Sequence, residues 1–231
     1  MPLVLFFIFF ITLFFIAQSL SKNLFLLFYL FSRSRETSIE ILTWAFLPGT
    51  IIHELSHLFL AELLRVKTGS LTFKPEIREN GEVRAGGLKI AKTDPLRHFL
   101  IGLAPTLTGL SLIFALAHFY LFSRFKIFFD LTTPQLGLLF LACYFVFQLS
   151  NTMFSSKKDL ETALFPLLIV SLLVTAFYFS GLKVTLSPGL TKNISQGLIN
   201  IDLSLGMTIL IDLLFLGGIK LLLALKKPRI S

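Results

Sequence analysis

The chain holds a single cysteine, Cys143, which excludes a disulfide framework and any metal site built on thiolates. Charge is also sparse. Asp, Glu, Lys and Arg make up 15% of the 231 residues, against 55% hydrophobic residues and 27 phenylalanines. No water-soluble domain of this length needs so apolar a composition, and a mean hydropathy of +0.82 places the chain among integral membrane proteins. Internal repeats, low-complexity tracts and a separable soluble domain are absent, so residues 1–231 are expected to form one membrane domain. The stretch Met1 to Ala17 has an apolar core but no Lys or Arg before it, so it is expected to stay as a membrane helix rather than act as a secretory signal. A net charge of +8 is compatible with nucleic acid in principle, yet the basic residues gather in short segments between apolar runs. Anionic headgroups and the positive-inside rule account for that pattern, making the bilayer and not nucleic acid the expected partner.

The fold class that follows is an all-α multi-pass membrane protein. About 20 residues are needed for each crossing, and six apolar segments reach that length, near 3–20, 40–65, 97–122, 134–153, 163–181 and 201–225. The patch Leu24 to Phe31 is too short to cross alone and is expected to extend the first helix or lie at the interface. Six crossings put both chain ends on one side, together with Lys67, Lys74, Arg78, Arg84, Lys89, Lys92, Arg97, Lys226, Lys227 and Arg229, and the basic excess makes that side cytoplasmic. Asn193-Ile194-Ser195 matches a glycosylation acceptor, relevant only in a eukaryotic lumen.

Polar residues inside the second apolar segment carry the chemistry. His53-Glu54-Leu55-Ser56-His57 is an HExxH motif, and residues four apart on an α-helix are offset by only about 40°, so both imidazoles project from one face. Two neutral imidazoles hold a zinc ion and leave it Lewis-acidic, while the adjacent carboxylate of Glu54 takes a proton from zinc-bound water. Histidine and glutamate are costly in hydrocarbon and mark functional sites there, although such groups also serve simply to hydrogen-bond between helices. The motif is expected nearer the cytoplasmic end of its helix.

After the motif comes the longest polar segment, 67–96. Asn80-Gly81, flanked by β-compatible residues such as Ile77 and Val83, signals a two-residue turn and hence a short cytoplasmic β-hairpin. It is either a solvated connector or a free strand edge on which an extended substrate pairs.

A catalytic zinc normally has three protein ligands. The extended HExxHxxGxxH pattern fails, because Leu60 and Leu63 stand where glycine and the third histidine belong. Candidate acids elsewhere are Asp159, Asp212, Glu62, and Asp94 with His98. Glu62 also suits pairing with Arg65, and Asp212 suits a buried hydrogen bond between helices. His98 and His118 read as interface or interhelical residues. Gly102 to Gly109 brings small residues to one helix, and Pro105 within it frees backbone groups that need a partner, so packing against the HExxH helix is the expected role.

Three places together, His53 to His57, Gly102-Leu103-Ala104-Pro105-Thr106-Leu107-Thr108-Gly109, and Asn151 with Asp159 eight positions on, make the chain similar to the site-2 protease family of intramembrane zinc metalloproteases. In that family the third place reads as an asparagine, a proline-containing stretch and Leu-Asp-Gly. The resemblance implies that Asp159 is the third zinc ligand, that Asn151 helps hold the substrate carbonyl or the oxyanion, and that the substrates are membrane proteins cleaved in or near a transmembrane segment. Phe154, Ser155 and Ser156 stand where prolines are usual, Lys158 for the leucine and Leu160 for the glycine. A break that lets Asp159 reach the metal must then come from the serines and from solvation of Lys157 and Lys158. Otherwise Asp159 caps the next helix beside those lysines. The rival expectation is a non-proteolytic zinc-binding membrane protein or transporter of the same fold.

Overall fold

The computed structural model describes residues 2–73, 76–77, 83–84, 86–125, 132–154, 169, 172–173, 175–177, 179–180 and 187–226. Its elements are α1 (Pro2–Ser32), α2 (Arg35–Ala45), α3 (Leu47–Leu63), strands β1 (Thr68–Thr72), β2 (Glu76–Ile77), β3 (Val83–Arg84) and β4 (Gly87–Ile90), then α4 (Pro95–Ala115), continued by a π-helical segment Leu116–Leu121 and α5 (Phe122–Phe125), then α6 (Thr133–Thr152) and α7 (Pro188–Lys226). Four stretches among the described residues are long and apolar enough to cross a membrane: Pro2–Ser32, Pro95–Leu121, Thr133–Thr152 and Gly189–Lys226. Outward-facing side chains of the bundle are strongly apolar, with Phe15, Phe59, Phe119 and Phe140 all exposed, as a hydrocarbon solvent requires.

The apolar patch 24–31 extends α1, which runs unbroken to Ser32. Arg33, at φ 52, ends that helix, and Ser34 Oγ then accepts from Thr37 N at 3.4 Å to cap α2. The expected single helix over 40–65 is instead two, broken at Phe46. Pro48 explains the break, because it supplies no N–H to the preceding turn and crowds the carbonyl four residues back. Apolar periodicity cannot register such a break.

At its far end α3 closes in a Schellman arrangement. Arg65 N–H donates to Glu62 O at 3.0 Å and Val66 N–H to Ala61 O at 2.9 Å. Arg65 takes the left-handed conformation (φ 56) that glycine usually supplies. Val66, Ala61 and Ile101 form a small buried cluster beneath the hairpin.

The hairpin is present and longer than its sequence signal. β1 pairs antiparallel with β4 (Leu71↔Leu88, Thr72↔Gly87) and β2 with β3 (Glu76↔Arg84, Ile77↔Val83). Ile77↔Val83 is one residue out of the register that an unbulged two-residue turn at Asn80-Gly81 imposes; the tip itself lies outside the described residues.

Contacts between helices set their directions. A Cβ on Gly206 of α7 would lie 3.7 Å from the ring of Phe9, and Lys226 Nζ donates to Leu30 O at 3.4 Å, so α1 and α7 run parallel. α6 runs against both. Phe147 stacks on Phe215 at 4.3 Å, Ser150 Oγ donates to Asp212 Oδ1 at 3.0 Å, and Phe154 meets Phe10 edge-on at 5.1 Å. The start of α1 and the end of α7 therefore sit at opposite ends of the bundle. This corrects the expectation that both chain ends lie on one side. Hydropathy counts apolar runs but carries no information on the direction in which each one packs. The expected span 163–181 lies for the most part outside the described residues.

Candidate metal centre

α3 carries His53, Glu54 and His57 into the bundle, with His53 and Glu54 only 4% and 5% exposed. The two imidazole rings lie 4.9 Å apart, centroid to centroid, at 80° to each other. That is the same-face pairing the four-residue spacing predicts. Buried hydroxyls around them are satisfied within the helix: Ser56 Oγ donates to His53 O at 2.6 Å and Thr50 Oγ1 to Phe46 O at 3.0 Å.

α3 is gripped from three sides. Running antiparallel to it, α4 brings Ile101 O to 2.8 Å from His57 Nδ1, so the proline-bearing helix does pack on the HExxH helix as its sequence suggests. α6 approaches on another side so closely that a Cβ on Gly49 would lie 2.6 Å from Thr152 Oγ1 and 2.8 Å from Gln148 O. Gln148 Nε2 donates to Ala45 O at 2.8 Å, which satisfies a carbonyl beside the α2–α3 break. The small-residue stretch of α4 meets both neighbours: Pro105 and Gly109 line a cavity with Gly49 and His53 of α3, and a Cβ on Gly109 would stand 3.0 Å from Met153 Cβ at the end of α6. Where the three helices meet, a small cavity opens against His53, lined also by Pro105, Gly109, Thr152 and Met153.

On the third side lies the base of the hairpin. Gly86 is buried, and a Cβ there would come within 3.2 Å of Thr50 Cγ2 and 3.4 Å of Glu54 Cγ. Sequence reasoning missed Gly86, Gly49 and Thr152. The Gly86-Gly87 pair beside a strand was the available signal for the first, because glycine in such a place marks close approach of backbone to a neighbour.

The other candidates separate. Asn151 is buried, but its Nδ2 donates to Phe147 O at 2.8 Å and Ser150 Oγ at 3.2 Å and lies 3.5 Å from Asp212 Oδ1, which turns the amide towards α7 and not into the cavity at His53. Asp212 itself makes the interhelical bond to Ser150. Glu62 accepts from Thr68 Oγ1 at 3.0 Å in place of the expected pairing with Arg65. Asp94 caps α4, accepting from Arg97 N at 3.0 Å; that backbone bond and the nearby Arg97 guanidinium hold its carboxyl below the usual carboxylate range. His98 is exposed at the start of α4, and His118 stacks on Phe114 at 5.1 Å within the π-helical segment.

His53 and His57 suit a borderline metal such as zinc, because they are neighbouring imidazoles on one rigid helix and the bond from His57 Nδ1 orients its ring. Among the described residues no group of three His, Cys, Asp or Glu side chains is placed to hold a metal ion, so Asp212 does not complete the pair. Asp159, with Ser155, Ser156, Lys157 and Lys158, lies outside the described residues. The chain matches no family model, no curated protein and no solved structure.

Proposed function

We propose that the chain is a multi-pass intramembrane zinc endopeptidase, with His53, His57 and Asp159 as the metal ligands. The observation that carries this reading is the pair of imidazoles 4.9 Å apart on α3, buried His53 and half-buried His57, with buried Glu54 beside them inside a bundle whose outer surface is apolar. Bound zinc supplies Lewis acidity and makes the attacking water easier to deprotonate. Glu54 acts as general base towards that water and returns the proton to the leaving amine. Burial of the carboxylate next to the base of the hairpin supports delivery of an extended substrate backbone along β4 to the site. Membrane-protein segments that unwind locally are the fitting substrates, because a helix hides its peptide bonds. The hairpin end carries Arg65, Lys67, Lys89, Lys92 and Arg97, which supports access to the site from the cytoplasm.

The non-proteolytic reading draws on Asn151, whose amide nitrogen lies 3.5 Å from Asp212 Oδ1 and which does not line the cavity at His53. Substituting Glu54→Gln separates the two readings, since it keeps size and hydrogen bonding while removing the base. Zinc content stays at the wild-type level, and cleavage of a transmembrane substrate in liposomes falls by about 10²- to 10⁴-fold. Equal cleavage by both proteins sinks the mechanism. Zinc-loaded wild type that cleaves none of several membrane substrates favours the non-proteolytic protein.

A further inference from the structure

Pro105 lies inside α4, and a proline there supplies no N–H to the carbonyl four residues earlier. That carbonyl belongs to Ile101, which is only 1% exposed. A buried carbonyl deprived of its helical donor costs free energy unless another donor reaches it. The donor that reaches it is the imidazole of His57, with Nδ1 at 2.8 Å from Ile101 O. A carbonyl oxygen only accepts, so the proton of this bond sits on Nδ1. In neutral imidazole the lone pair then belongs to Nε2.

We propose that Pro105 is a positioning residue that acts through Ile101 O, selecting the Nδ1–H tautomer of His57 and fixing its ring so that Nε2 is the ligating nitrogen. The metal part of this statement rests on the protease reading; the tautomer part does not. The device works by subtraction. An ordinary residue at 105 closes the α4 ladder onto Ile101 O, and the carbonyl then turns along the helix axis instead of out towards α3. An outward carbonyl beside a metal-binding imidazole is the partner such a ligand needs for its second nitrogen.

The test is nitrogen NMR of metal-free protein labelled with ¹⁵N-histidine. The chain has four histidines, so His57 is assigned by the signal that disappears in His57→Gln. In wild type His57 is expected as the Nδ1–H form. In Pro105→Ala the restored N–H competes for Ile101 O, so the Nε2–H form appears and zinc affinity weakens by about 10- to 100-fold. Pro95→Ala serves as control, because that proline opens α4 and has no helical carbonyl four residues before it; tautomer and affinity there match wild type. A proton on Nε2 in wild type overturns the proposal by itself, even if Pro105→Ala fails to fold. An unchanged tautomer and unchanged zinc affinity in folded Pro105→Ala overturn it equally. If wild type binds no zinc while Pro105→Ala still shifts the tautomer, the positioning stands and the protease reading falls.

Discussion

Gly86 and Glu54 stand within one carbon of each other: a Cβ at Gly86, where the hairpin passes the HExxH helix, would lie 3.4 Å from Glu54 Cγ, 3.2 Å from Thr50 Cγ2 and 3.0 Å from Thr72 O. The polar segment is thus not a remote connector but one wall of the candidate site. Gly86→Val lifts that wall. Cleavage is expected to fall by about 10²-fold, the scale on which a misplacement near 1 Å acts, while zinc content is retained. Wild-type activity in Gly86→Val, measured on the same liposome substrate, shows that this wall takes no part in the reaction.

The ligand set makes a second prediction. Asp159→Ala is expected to lower zinc content, whereas Asp212→Ala keeps it and loses about 1 kcal/mol of stability through the interhelical bond it removes, since Ser150 and Asn151 both keep Phe147 O as acceptor. Metal analysis beside thermal melting in detergent reads both. Full zinc in Asp159→Ala removes Asp159 from the site.

Helix direction makes a third. Single cysteines, introduced in a Cys143→Ala background, are expected to be labelled from one side at Lys67, Lys89 and Lys192 and from the other at Arg33 and Lys226, because α1 and α7 run parallel. Lys67 and Lys226 reacting from the same side overturns the parallel arrangement.

A fourth concerns the α3–α6 contact. Gly49→Ala places a methyl 2.8 Å from the backbone oxygen of Gln148 and 2.6 Å from Thr152 Oγ1. The helices must part, at about 1–3 kcal/mol. The melting midpoint in detergent drops accordingly, and an unchanged midpoint rules out so close a contact.

The left-handed Arg65 offers a gain. Arg65→Gly keeps the Schellman bonds and relieves a conformation that costs a residue with a Cβ about 1 kcal/mol. Denaturant titration of the α3 end is expected to show that increase, and a destabilised variant means that the Arg65 side chain matters more than its backbone.

Sequence by itself determined the solvent, the helical class and the same-face pairing of His53 with His57, because these follow from composition and from the pitch of a helix. It also signalled the hairpin and that Pro105 frees a backbone group in need of a partner, since a missing N–H is a property of the residue and not of its surroundings; that the partner is His57 came only from the tertiary structure. The parallel run of α1 and α7, the break at Phe46, the contact of Gly49 with Thr152 and the turning of Asn151 towards Asp212 were decided only by tertiary structure. Each depends on which helix lies beside which. Hydropathy is a sum over local residues, blind to direction and neighbours, whereas packing selects one arrangement by how closely backbones approach and which buried polar atoms meet.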